Sequence, residues 1–328
     1  MLSLEDLCGQ CAHIARLRDD FARHAFVHAY LFSGPRGTGK RSAARLLAMT
    51  TLCRAASGRP CGACGPCRRV LSGTHPDVHT IEAPKGKQTI GVDVLRDVLE
   101  EVGVKSFEDG AKAIIFPEAE RMTPAAQNCL LKTLEEPPQD TVFFLVTDQP
   151  AALLATIVSR CRVVRFHPLS VEDAAARLVA LGEPKGTALA RARIAEGCVG
   201  QALEIDDAQM SLRLELTRDV FSVHRAADAL AVVNAYKEDR QRQGQVLDAL
   251  EGAVRDILLA QAGHASLDGA GYAPAAQAYA RAVPLSGGLT LMGEVTRARM
   301  MCAGNVAFAS AFESILLTIS EEYAKWPW

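Results

Sequence analysis

The stretch AYLFSGPRGTGKRSAARLLAM, residues 29–49, limits what the chain can fold into more than any other part of it. A short apolar strand runs into a loop holding Gly34, Gly37 and Gly39, and a helical pattern follows from Arg41 to about Ala55. Strand, glycine loop and helix in that order are the setting of a phosphate-binding loop. Its backbone N–H groups gather at a helix N-terminus, and a lysine, here Lys40, reaches the phosphates. The pattern G-x-x-x-x-G-K-[ST] is met as far as the lysine. The next position calls for a small hydroxyl that binds Mg²⁺, and this chain has Arg41. A guanidinium has no acceptor lone pair and repels a cation. Ser42 comes one residue late, about 100° round the helix. The loop keeps backbone donors for the phosphates of ATP or ADP, and a preserved turn without nucleotide is the alternative reading.

Further strands are expected at 78–82 (VHTIE), 113–116 (AIIF), 142–147 (VFFLVT) and 163–166 (VVRF), with helical stretches between them. Near-continuous apolar strands alternating with helices imply an α/β fold, a parallel sheet covered on both faces. A helix is also expected before the first strand, over 5–26, with Leu7, Ile14, Leu17 and Phe21 on one face. In RMTPAAQNCLLKTLEEPP, Thr123 suits an N-cap, Pro124 suits the first helical position and Pro137 ends the helix. Beyond FHPLS the pattern changes to short helices over 170–205. From about 209 to the end only helical periodicity remains. The organisation expected is an α/β domain over 1–168, a small helical lid domain over 169–208 and an all-α domain over 209–328.

Composition fits a chain of this plan. Of 328 residues, 49% are apolar and 23% charged, with a formal net charge of −2. That balance gives no single-sign field strong enough to hold nucleic acid by itself. No apolar run approaches the roughly 18 residues of a membrane helix. The N-terminus lacks a basic-then-apolar order, so a cytoplasmic chain with reduced thiols is expected.

Four of the ten cysteines, Cys53, Cys61, Cys64 and Cys67, are spaced C-x7-C-x2-C-x2-C. Four thiolates suit tetrahedral zinc, and the intervening glycines and prolines allow tight knuckles. Such a closed site is structural. Buried or redox-active thiols and an iron–sulfur cluster are the other readings of the spacing. Cys8 and Cys11 are taken as incidental thiols, and Cys129, Cys161, Cys198 and Cys302 as small buried hydrophobes.

Four motifs in sequence, HAYLFSGPRGTGK, the four-cysteine knuckle, AQNCLLKTLEEPP and TIVSRCRVVRFHPL, resemble the AAA+ clamp-loader family of the bacterial DNA polymerase III type. The resemblance covers residues 1 to about 205. The helical remainder fits the family's collar domain in length and composition. It implies a structural Zn²⁺ on the four cysteines. It also implies assembly with clamp-loader ATPase subunits (gamma/tau) and the delta subunit, and contact with the sliding clamp and primed DNA through that assembly.

Against the family's motors the chain departs at three places. Arg41 replaces the Mg²⁺-binding hydroxyl. Glu118 matches the first of two acids after the third strand, but Ala119 replaces the second, which polarises water; loss of such a base costs about 10²–10⁴ in rate. Gly200 stands where motors offer an arginine from the lid. The resemblance therefore implies the non-hydrolysing member of the family, with an active gamma/tau-like ATPase as the alternative. A zinc-bearing adaptor outside replication is a third reading. Arg160, in SRC, is by resemblance an arginine finger supplied in trans to a neighbouring subunit. Thr147 stands where motors place a polar sensor, and a strand-terminal hydroxyl is the simpler account of it. LLKTLEEPP reads as a solvated helix face with Lys132 and Glu136 as an i,i+4 pair.

Overall fold

The computed structural model describes residues 11–103, 106–107, 111–238, 240–263 and 273–326. In chain order the elements are α1 (Cys11–Ala22), β1 (Ala29–Ser33), α2 (Lys40–Leu52), α3 (Gly65–Ser72), β2 (Val78–Thr80), α4 (Val92–Gly103), β3 (Lys112–Phe116), α5 (Pro124–Glu135), β4 (Thr141–Thr147), α6 (Ala155–Val158) and β5 (Arg162–Arg165). Helices follow: α7 (Val171–Ala180), α8 (Lys185–Ile194), α9 (Val199–Glu204), α10 (Asp207–Phe221), α11 (Ala226–Tyr236), α12 (Arg240–Gln261), α13 (Pro274–Ala282), α14 (Leu285–Ala303) and α15 (Phe308–Lys325). All five expected strands are present within one or two residues, except that the second ends at Thr80 rather than residue 82. The N-terminal part of the first expected helix, with Leu7 and Cys8, lies outside the described residues, as does the side chain of Cys11.

The strands form one sheet in the order β2-β3-β4-β1-β5, and every pair is parallel. Strand alternation decides which face each residue covers. Tyr30, Phe32, Ala113, Ile115, Val142, Phe144 and Val146 point to the side of α1, α2 and α3. Ala29, Leu31, Ile114, Phe116, Phe143 and Leu145 point to the side of α4, α5 and α6. Both faces are therefore covered, which is why the central positions of β1, β3 and β4 read as unbroken apolar runs. This is the parallel sheet covered on both faces that the strand pattern leads one to expect.

Contacts divide the chain into two compact units, Met1–Gly182 with Ala195–Ala202, and Glu183–Ile194 with Leu203–Trp328. The segment expected as a lid, 169–208, contributes to both. The second unit has its own all-helical core around Leu216, Phe221, Tyr279, Phe312 and Ile319, each fully buried. A buried Arg213–Asp256 pair at 3.0 Å ties α10 to α12 there. The Tyr323 hydroxyl donates to the Phe221 carbonyl at 2.9 Å.

Cys161 and Cys198 are buried as expected, whereas Cys129 and Cys302 are half-buried. No helix among the described residues is long and apolar enough to cross a membrane.

Phe144 stacks with Phe21 and Tyr30 and contacts Phe32, with centroids 5.7, 5.9 and 5.6 Å away. Phe144→Ala should lower stability by about 3–5 kcal/mol, read by urea unfolding.

Candidate functional site: a phosphate loop, its acid and an exposed arginine

The loop from Gly34 to Gly39 leaves β1 and enters α2 with left-handed backbone at its glycines. Gly34 has φ 145°, and a Cβ there would lie 2.2 Å from the Phe166 carbonyl oxygen. Only glycine lets the loop pass so close to the end of β5. Lys40 is buried, and its ammonium donates to the carbonyls of Gly34 and Pro35, both at 2.6 Å. Burial pushes its pKa below the usual lysine value, with the charges of Asp148 and Glu120 among the opposing effects. One carboxylate oxygen of Glu120 is buried without a hydrogen-bond partner.

Gly200, at the start of α9, meets the loop at close range. Its N–H donates to the Gly37 carbonyl at 2.9 Å, and the Gln201 side-chain amide donates to the Arg36 carbonyl, also at 2.9 Å. A Cβ at Gly200 would stand 2.9 Å from the Gly37 Cα, and one at Gly37 would stand 2.6 Å from the Gln201 nitrogen. Backbone thus lies against backbone where a motor would place a long cationic side chain.

Arg41 does not point free into solvent. Its guanidinium pairs with Glu118 at 2.9 Å and donates to the Pro117 carbonyl at 3.3 Å. Arg121 pairs with the other Glu118 oxygen, again at 2.9 Å. Each carboxylate oxygen of Glu118 therefore already faces a guanidinium. The turn that carries Glu118 is fixed by backbone bonds to Ile90: the Ile90 N–H donates to Arg121 O at 2.8 Å, and Thr123 N–H donates to Ile90 O at 3.0 Å. Ala119 in that turn is fully buried. Arg41 and Glu118 are more than one-third exposed or close to it, so the pair is worth only about 0–1 kcal/mol of stability. Its significance is positional. At the end of β4 the Thr147 hydroxyl accepts from the Gln149 N–H at 3.0 Å, an ordinary strand-end turn.

The segment that carries Arg160 follows α6, and a residue that sequence reasoning passed over positions it. Gln127, buried on α5, donates to the carbonyls of Met122 and Ala152 at 3.1 and 3.2 Å, and accepts from the Leu154 N–H at 2.8 Å. All of its bonds go to backbone, and they hold the start of α6 against α5. The only sequence signal was a long polar side chain on the apolar face of a helix. Arg160 donates to the Thr156 carbonyl at 3.0 Å and pairs with Glu135. Glu135, next in sequence to the Glu136 of the expected surface pair, is the acid that reaches across to Arg160.

The four cysteines do converge. Their sulfurs all lie within 4.8 Å of one another, and those of Cys61 and Cys67 are 3.9 Å apart. Tetrahedral zinc with bonds of about 2.3 Å would space its sulfurs about 3.8 Å apart, so the donor set fits that ion. The N–H of Cys61 donates to the Cys53 sulfur at 3.3 Å, and that of Cys64 to the Cys61 sulfur at 3.4 Å. Such bonds favour thiolate. Backbone donors, led by Cys64, bring the Cys61 pKa down to about 6. The cluster can hold a metal.

Comparison with known proteins agrees with the motif order. Residues 9–170 match the family model described as DNA polymerase III, delta subunit. The chain belongs to the clamp-loader subunit family of DNA polymerase III. It is 40% identical over 163 residues to the DNA polymerase III subunit delta' of Bacillus subtilis, covering 50% of this chain and 49% of that one. It is 31% identical over 283 residues to the subunit tau of the same organism, covering 78% of this chain and 50% of that one. The chain thus spans about half the length of these clamp-loader relatives. A solved gamma-subunit-related protein from Thermotoga maritima aligns over 94% of this chain and 99% of that one, with TM-score 0.46 and 16% identity.

Gln127→Leu should remove the side-chain partner of the Met122 and Ala152 carbonyls and of the Leu154 N–H. The expected loss is about 2–3 kcal/mol by chemical denaturation, in spite of the added apolar surface.

Proposed function

We propose that the chain is the non-hydrolysing subunit of a DNA polymerase III clamp loader, which helps place a sliding clamp on primed DNA in the cytoplasm. In this reading gamma/tau-type ATPase subunits and a delta subunit are its neighbours, and residues 1–168, 169–208 and 209–328 act as its sheet, lid and collar domains. The observation that carries it is the Arg41–Glu118 pair. In a motor, a hydroxyl after the loop lysine and an acid after the third strand hold Mg²⁺ together. Here a guanidinium fills the first position and sits 2.9 Å from the acid in the second. A divalent cation between them would have to displace a fixed positive charge. With Lys40 bonded to the loop's own carbonyls and Gly200 against Gly37, the residues do not fit a Mg²⁺-nucleotide. Fully buried Ala119 supplies no base.

Arg160 is the residue proposed to act outside the chain. Its side chain is 35% exposed and Glu135 is 50% exposed, so exchanging that carboxylate for a phosphate costs on the order of 1 kcal/mol or less. A permanently charged planar group can then meet charge spreading on a γ-phosphate of a neighbouring subunit's nucleotide. Gln127 and Glu135 hold it in place until then. Cys53, Cys61, Cys64 and Cys67 are assigned to a structural Zn²⁺.

Three measurements test this. The purified chain alone should release no phosphate from ATP above background with Mg²⁺, and turnover at motor-like rates would reject the reading. In a complex reassembled with motor subunits, Arg160→Ala should lower DNA-stimulated ATPase activity by about 10³-fold at the affected site, within the range of such arginines. The chain should also carry about one zinc per molecule by elemental analysis, with chelation lowering its melting temperature.

A further inference from the structure

An acidic side chain is poorly placed at the end of a helix, where the last carbonyls already carry partial negative charge. α5 nevertheless ends on Glu135, with Glu136 as its C-cap. Among the described residues Lys132, one turn back, forms no ion pair with it. Glu135 pairs instead with Arg160, 25 residues further on and beyond α6. The acid therefore does nothing for its own helix.

Nor does Arg160 need it for position. The Arg160 N–H donates to the Ile157 carbonyl at 3.0 Å, and Ile157 is fully buried. Its Nη1 donates to the Thr156 carbonyl, also at 3.0 Å. Gln127 fixes the start of α6 through the Leu154 N–H. Backbone bonds thus hold the segment and the guanidinium without any help from a carboxylate.

What Glu135 does engage is Nη2. A guanidinium offers two forks for two-point contact with an oxyanion, and Nη2 belongs to both. A phosphate that approaches Arg160 therefore competes with Glu135 for the same nitrogen. After the exchange the carboxylate stays close by, where its charge opposes the incoming anion. Both effects work against the use of Arg160 on a nucleotide, and neither assists it.

We propose that Glu135 is a latch on Arg160, withholding its guanidinium until a neighbouring subunit's phosphate comes close enough to take Nη2 from it. This rests on the reading of Arg160 as an arginine that acts in trans, and adds the residue that regulates that action. Glu135 works only through Arg160. Both side chains are partly exposed, so the latch is weak and reversible and sets a threshold rather than a block.

The test is single-turnover ATP hydrolysis, without DNA, in a complex reassembled with gamma/tau-type motor subunits and the delta subunit. Glu135→Gln should raise the rate at the site this chain serves by about two- to fivefold, the most that an exposed ion pair can withhold. Glu135→Ala should give the same rise, which separates lost charge from any new bond of the amide. In the Arg160→Ala background either change should have no effect, because the pair is then already broken. An unchanged or lower rate in either single variant, with Arg160→Ala still defective, overturns the latch and leaves the reading of Arg160 standing. An equal rise in the Arg160→Ala background also overturns it, since Glu135 would then act by another route. If Arg160→Ala by itself leaves the rate unchanged, the reading of Arg160 falls and the latch falls with it.

Discussion

A fixed positive charge beside a carboxylate organises the phosphate-loop end of the sheet. Arg41 sits at the first turn of α2, and Glu118 sits on the turn after β3, so their pair joins the segments that leave β1 and β3, on either side of β4, at the sheet's C-terminal edge. That edge is where parallel α/β sheets build their sites, because loops and helix N-termini converge there. With the acid shared between Arg41 and Arg121, both of its oxygens are engaged by guanidiniums. Lys40 is engaged by two carbonyls of its own loop. The shape of a phosphate loop persists while its polar side chains bond within the chain.

Most of this fold could be read from the sequence, for a physical reason. Strands buried on both faces are apolar along their central positions, and Ala29–Phe32, Ala113–Phe116 and Val142–Val146 are unbroken apolar runs, with polar residues only at the strand ends. Edge strands are harder. β2 is half-exposed and ends at Thr80, two residues early, since an edge strand has one neighbour and less need of apolar length. The cysteine cluster was legible because knuckle spacing fixes how four sulfurs can meet, and they do meet.

What the sequence left hidden depends on three-dimensional proximity. The resemblance marked Arg41, Ala119 and Gly200 as departures and Glu118 as a match, but not that Arg41 and Glu118 would find each other, or that Gly200 would rest on Gly37. Spacing of 77 residues in one case and 163 in the other carries no local signal. Gln127 was missed for a related reason. A buried glutamine bonded only to backbone looks, in a linear string, like any polar residue on a helix. The role of Glu135 as partner to Arg160 likewise needed the packing of α5 beside α6.

The contact between Gly37 and Gly200 limits what position 200 can carry. Any side chain there meets the loop backbone at 2.9 Å, so an arginine could not be seated without moving the segment that carries it. A carboxylate at position 119 would enter a fully buried turn, and a hydroxyl at 41 would still leave Glu118 held by Arg121. Each of the three positions is thus locked by a neighbour of its own, and a change at one leaves the other two where they are.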